Sequence, residues 1–150
     1  MKITFFIPGI PAPGGSKRFV GHSKKTGRAI LIDAAGQKNK DWRSTVGICA
    51  SAEMRKSGAV FHGPLRVKFD FIMPRRKGDM NSKGQLKATA PFYHTTKPDA
   101  LKLARSTEDA MTGIVYNDDA QTAILEISKR YADIGEPCGC QATISNLETN

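Results

Sequence analysis

From Leu65 to Met73 the chain reads LRVKFDFIM, an alternation of apolar and polar residues that only Ile72 interrupts. Leu65, Val67, Phe69, Phe71 and Met73 fall on one side of an extended backbone, and Arg66, Lys68 and Asp70 on the other. That pattern predicts a strand buried on one face, which needs neighbouring strands beside it and a second layer against its apolar side. A helix predicted over Gln37–Lys56 supplies such a layer. Trp42, Val46, Cys49 and Ala50 recur along it as one apolar stripe, and Gly58 stands beyond its end.

The remaining segments complete one compact unit. Residues 2–8 (KITFFIP) and 29–33 (AILID) read as strands, as do Gln121–Tyr131 and Gly139–Leu147. A second helix is expected from Asp99 to Thr112, ended by Gly113. Residues 9–28 are rich in Gly, Pro and Lys, show no helical or strand period, and are expected to form a loop. Residues 74–96 are polar and basic, long for a structureless connection, and so expected to be functional or mobile. There is no internal repeat and no linker. At 150 residues, 39% of them hydrophobic, the chain is expected to form a single domain spanning 1–150. Its predicted class is α+β, with a mixed or antiparallel sheet and two principal helices.

No run approaches the roughly 18 consecutive apolar residues of a membrane span. The N-terminal MKITFFIPG is broken too soon for a signal peptide. Three cysteines, Cys49, Cys138 and Cys140, do not make a disulfide scaffold in a chain of this size. The expectation is a soluble cytoplasmic protein with no membrane partner.

Charge narrows the function. Lys and Arg number 23 against 14 Asp and Glu, a net charge of +9, which suits a polyanionic partner. Residues 1–98 hold 19 basic and 5 acidic side chains; residues 99–150 hold 4 and 9. Five of the acids, Asp99, Glu108, Asp109, Asp118 and Asp119, fall within 21 residues. Carboxylates beside a phosphate grip repel the ligand unless they hold a divalent cation. The plainer alternative is a solvated acidic surface.

The chemistry concentrates in KPDALKLARSTEDAMTGIVYNDDAQ, Lys97 to Gln121. Pro98 disfavours helix at Lys97, so Asp99 stands where the helix begins. Leu101, Arg105 and Asp109 share one helical face, with Glu108 and Thr112 at its flanks; Leu103, Ala104, Ala110 and Met111 face the sheet. After Gly113 a short Ile-Val-Tyr segment leads to Asp118 and Asp119. Two acidic stations joined in this way can converge on magnesium, which takes oxygen ligands and often only one or two protein carboxylates. By spacing alone Asp99 reads equally as a helix cap, and Asn117-Asp118-Asp119 as an ordinary turn.

This block, with Lys97-Pro98-Asp99, Leu103, Arg105, Asp109-Ala110-Met111, Gly113, Tyr116, Asp118-Asp119 and Gln121, resembles the signature of the RusA-like Holliday junction resolvases. That family commonly reads K-P-D-x-D-N-L-x-K, then D-A-L-x-G, then D-D-x-Q. Gly9-Ile-Pro-Ala-Pro-Gly-Gly-Ser-Lys-Arg-Phe19 is similar to the start of phage-type members, and Lys40-Asp41-Trp42 to a recurrent position of the first helix. The resemblance runs from Ile3 to about Leu125. It implies a homodimeric, metal-dependent endodeoxyribonuclease that resolves four-way DNA junctions by paired symmetric cuts in recombination and repair, using Mg2+ or, as a substitute, Mn2+. No small-molecule cofactor is implied. Asp99 and Asp119 match the family's essential metal-binding aspartates, Asp118 the first of the D-D pair, and Arg105 a basic residue that assists at the phosphate.

One position departs from the pattern. The family's second aspartate falls on Leu101, which cannot ligate a cation, and Lys102 stands where asparagine is usual. Asp109 and Glu108 are the candidates to replace that ligand. Failing a replacement, the resemblance implies a catalytically weakened junction-binding protein on the same fold. Lys17, Arg18, Lys24, Lys25, Arg75, Arg76, Lys97 and Lys102 are candidate phosphate contacts. Phe19, Phe92 and Tyr93 lie beside basic residues, where a ring can stack on an exposed base or simply pack locally. Cys138-Gly-Cys140 has too few ligands for a zinc site, and His22, His62 and His94 are isolated in sequence, with only His94 near Asp99.

Overall fold

The computed structural model describes residues 1–14, 17–33 and 36–148. In chain order the elements are β1 (Lys2–Pro8), β2 (Lys17–His22), β3 (Ala29–Asp33), α1 (Gly36–Ser57), β4 (Leu65–Met73), α2 (Ala100–Met111), β5 (Thr122–Tyr131) and β6 (Gly139–Asn146). Strands β1, β6, β4 and β5 lie side by side in that order. β6 runs antiparallel to both β1 and β4, while β4 and β5 are parallel, joined by the crossover that contains α2. The sheet is mixed and the class α+β, as the sequence predicts.

The alternation of β4 decides which face is covered. Leu65, Val67, Phe69, Phe71 and Met73 are buried, together with Ile3, Phe5 and Ile7 of β1 and Ala142 and Ile144 of β6. Both helices lie against this side. α1 contributes Trp42, Val46 and Ala50, with Cys49 at the edge of the stripe; α2 contributes Leu103, Ala104 and Met111. Arg66, Lys68 and Asp70 point to the open face, where Arg66 pairs with Glu126 across to β5. Gly58, with φ of 78°, closes α1 by donating its N–H to the Met54 carbonyl at 2.9 Å. Among the described residues no helix is long and apolar enough to cross a membrane.

The helices are joined to each other by buried polar contacts. Asn39 Nδ2 donates to the Pro13 carbonyl at 2.8 Å and to Ser106 Oγ at 2.7 Å. Trp42 Nε1 donates to Thr107 Oγ1 at 3.1 Å, and that hydroxyl donates to the Leu103 carbonyl at 2.8 Å. Gly14 N–H donates to the Lys102 carbonyl at 3.1 Å. The chain after β1 is thereby laid along the start of α2.

One loop expectation is corrected. Within residues 9–28, Lys17–His22 forms a strand that pairs antiparallel with β3 as a separate two-stranded ribbon, with a register shift between Phe19 and Gly21. Phe19, Val20, Ile30, Leu31 and Ile32 are all exposed. With neither face covered, the sequence has no alternation to display. Residues 74–96 are held by contacts of their own. The Asp79 carboxylate is buried and accepts from Arg76 Nε and Nη2 at 3.1 and 2.8 Å, with Arg75 3.7 Å away. The segment then returns along β5, where His94 N–H donates to Lys129 O and Tyr131 N–H to Phe92 O.

At the end of β5, Arg130 forks onto Glu136, Nη1 to Oε1 at 2.6 Å and Nη2 to Oε2 at 2.8 Å, and Asp133 N–H donates to the same carboxylate at 2.9 Å. These bonds, the guanidinium first, hold the Glu136 carboxyl at about 2, below its usual value of 4.5. Because the folded value is the lower one, the stabilisation is complete above the unfolded value and fades as pH falls from about 4.5 towards 2. Glu136→Gln is expected to lose about 1–2 kcal/mol at neutral pH, the full shift being discounted for partial exposure. Urea melts at pH 7 and pH 3 check this: the gap between variant and parent should shrink at the lower pH.

Candidate active site

Asp99 occupies the N-cap of α2, with extended backbone (φ −67°, ψ 142°), and its carboxylate accepts no capping hydrogen bond. An aspartate there ordinarily accepts from the N–H two or three residues on. This one instead faces solvent, 60% exposed, 3.5 Å from Lys102 Nζ. Its oxygens accept no hydrogen bond from the helix start. The turn that carries it is fixed from below: Lys129 of β5 donates through Nζ to the carbonyls of Thr96 at 2.7 Å and Pro98 at 2.6 Å. Burial lowers the pKa of that ammonium, and the Asp99 charge works against the shift. The Lys97–Pro98 peptide is cis.

The second station lies at the other end of α2. Gln121 organises it, its Oε1 accepting from the N–H groups of Asn117 at 3.0 Å and Asp118 at 3.1 Å while Nε2 donates to the carbonyls of Phe61 and Gly63. Asp118 Oδ1 accepts from Ala120 N–H at 2.8 Å, completing a capping box around Asp119–Gln121. Asp118 and Asp119 are exposed. Thr122 Oγ1 donates to Glu108 Oε1 at 2.6 Å, and the Tyr116 hydroxyl to the Glu108 carbonyl at 3.1 Å. Burial raises the Glu108 pKa against the pull of the Thr122 bond, and the charges of Asp119 and Asp109 raise it further. Burial, and after it the charges of Glu108, Asp119 and Asp109, push the Tyr116 hydroxyl well above its usual value.

A helix of 12 residues is about 18 Å long. Asp99 and the Asp118–Asp119 pair stand at its two ends, so one chain does not bring them together. Among the described residues no three side chains of His, Cys, Asp or Glu gather where one ion would bridge them. Within one chain the two stations therefore stand apart. Glu108 and Asp109 belong to the second station, two helical turns from position 101, so neither stands in for a carboxylate beside Asp99. Leu101 is 72% exposed. Arg105 is exposed between the stations and forms no ion pair among the described residues.

The candidate phosphate contacts divide. Lys97 and Lys102 flank Asp99 and are exposed, and Lys24 and Lys25 are exposed at the tip of the β2–β3 ribbon. Arg75 is withdrawn: its side chain is 8% exposed and its guanidinium donates to the carbonyls of Ala132 and Pro91. Arg76 is half exposed but shared with Asp79. The side chains of Lys17 and Arg18 lie outside the described residues. Cys138 and Cys140 are unpaired thiols, Cys140 within the core, and burial raises both pKa values. Lys129 carried no sequence signal, since in a strand it reads as one more polar position.

The family model of the endodeoxyribonuclease RusA matches residues 8–136, a span that contains both acidic stations. The chain belongs to the RusA endodeoxyribonuclease family. It is also similar to the uncharacterized protein YqaN of Bacillus subtilis (strain 168), 28% identical over 133 residues, covering 87% of this chain and 89% of that protein. RusA membership makes an endodeoxyribonuclease of Holliday junctions the functional class. Within that frame the free cap of Asp99 and the paired acids after α2 are the groups with chemistry to offer.

Proposed function

We propose that this RusA-family chain acts as a homodimer that cuts four-way DNA junctions with Mg2+, or Mn2+ in its place, Asp99 of one chain acting together with Asp118 and Asp119 of its partner. The observation that carries this is the Asp99 carboxylate, which sits at a helix start, caps nothing and is held outward by a turn clamped to the sheet. Both stations offer exposed carboxylate oxygens, the donor type magnesium prefers, and neither alone offers more than a partial shell. A two-fold axis places one station of each chain against the other station of its partner, and does so twice, as paired cuts require. When bound, the cation neutralises phosphate charge and activates water. The chain's own part is to hold the carboxylates rigid while Lys97, Lys102 and Arg105 bind and orient the phosphate.

Leu101 favours a second reading, a junction-binding protein with weakened cleavage. The two separate in one paired assay on a synthetic four-way junction. Magnesium-dependent nicking, absent in EDTA, supports the nuclease; preference for junction over duplex in EDTA without nicking in magnesium supports the weakened form. In the dimer Glu108 and Asp109 travel with the partner's Asp119 towards Asp99. Asp109→Asn is therefore expected to lower cleavage at least tenfold, while Leu101→Asp adds little. A gain in rate for Leu101→Asp with Asp109→Asn silent would favour the weakened form instead.

A further inference from the structure

We infer that the cavity beside Asp99 is a pocket for a single unstacked nucleotide of the DNA strand, its base against the apolar wall and its phosphate on the basic rim. The biological setting rests on the junction reading above; the pocket itself rests on its own chemistry. The cavity has a volume of about 610 Å3, within the range of small-molecule sites. It opens between the segment leaving β1, the end of β4, the His94 turn and the start of α2.

Its lining falls into two kinds. Ile10, Pro11, Pro13, Met73, Pro74 and Pro98 form an apolar surface suited to the flat face of a heteroaromatic ring. Lys38, Lys97 and Lys102 form the rim, with Asp99 the one carboxylate among them. Three ammonium groups argue against an apolar peptide. An apolar wall with a cationic rim matches a nucleotide, which pairs a stacking face with a dianionic or diester phosphate.

The walls are set in advance. Asn39 holds the Pro13 carbonyl, Gly14 N–H donates to the Lys102 carbonyl, and Lys129 holds the carbonyls of Thr96 and Pro98. Such a site orders little on binding. His94 forms part of the wall and is 8% exposed. Its Nδ1 is the one buried side-chain polar atom without a partner among the described residues, and Nε2 lies 3.4 Å from the Thr96 hydroxyl. Burial, and after it the Lys129 charge, lowers the His94 pKa, so the ring stands neutral, with one nitrogen to donate and one to accept. Unstacking costs least for a base that is already unpaired.

The test uses the full chain, labelled with 15N, titrated with a 2′-deoxynucleoside 5′-monophosphate, with the deoxynucleoside alone and with inorganic phosphate. The expected result is saturable millimolar binding of the monophosphate that moves the Ile10, Lys97 and Lys102 amides and the His94 ring. Inorganic phosphate should leave Ile10 in place. Ile10→Trp, at a position 65% exposed, fills the mouth without disturbing the core and should weaken the monophosphate at least tenfold. Lys38→Glu should weaken the monophosphate but not the deoxynucleoside. Unmoved Ile10 and His94 signals with every monophosphate would overturn the pocket, even in a protein that cuts junctions. A monophosphate site in a protein with no preference for junctions would uphold the pocket and overturn the proposed function.

Discussion

Asp99→Asn is expected to lower junction cleavage by about a hundredfold or more, equivalent to about 3 kcal/mol of lost transition-state stabilisation. The amide keeps the shape of the side chain and removes its charge, which is what a cation and its bound water need. Folding should hardly change. The carboxylate caps no N–H of α2 and is largely exposed, so its loss costs at most a few tenths of a kcal/mol through the helix dipole and the Lys102 pair. Binding in EDTA should be unchanged or tighter, because a negative charge has left the neighbourhood of the phosphates. Single-turnover cleavage in magnesium, mobility shift in EDTA and thermal melting together check the three parts. An Asp99→Asn protein that cuts at the parent rate would remove Asp99 from the chemistry.

The largest expected loss of stability lies at Trp42. The ring is 2% exposed and packs where α1, β1 and α2 meet, and its N–H donates to Thr107 Oγ1. Trp42→Ala should cost about 3–5 kcal/mol from lost burial and the cavity left behind. Against a total stability of about 5–15 kcal/mol that is a large share, and it falls on the contact that sets α2, and therefore Asp99, against the rest of the domain. Trp42→Phe keeps most of the volume and loses the donor. The Thr107 hydroxyl still donates to the Leu103 carbonyl, so about 1–2 kcal/mol is expected. Urea unfolding measures both. Equal losses for the two variants would show that the hydrogen bond, and not the ring's volume, holds the helices together.

The layer arrangement was legible where burial is one-sided. β4 carries its alternation, α1 its stripe of Trp42, Val46 and Ala50, and α2 its Leu103, Ala104 and Met111, because each buries one face against the sheet. The β2–β3 ribbon was not legible beyond AILID, since Phe19 and Val20, which point to opposite sides, are both exposed. Asp79 and Arg75 read as ordinary members of a charged loop; only the fold turns them inward to satisfy each other and the carbonyls of Pro91 and Ala132.

The site was legible in its residues and not in its geometry. Lys-Pro-Asp before a helix and Asp-Asp before a strand identify the acids and, through the RusA pattern, the class. Their separation follows from the direction of α2 relative to β5, which places Lys129 under the Asp99 turn and Thr122 beside Glu108 at the opposite end. No residue spacing carries that information. Nor does the sequence distinguish a capping aspartate from a free one. The structure does: Asp118 caps and Asp99 does not.

The central claim, that Asp99 of one chain works with Asp118 and Asp119 of the other, is tested most directly by mixing two inactive proteins. Asp99→Asn and Asp119→Asn are each expected to be dead alone. After subunit exchange, about half of the dimers carry one variant of each kind, and each mixed dimer holds one site with both acids intact and one with neither. The account predicts that magnesium-dependent nicking returns to about a quarter of the parent level, with single-strand nicks in place of paired cuts. A mixture as inactive as its components, under conditions where exchange is shown by mass, would contradict it.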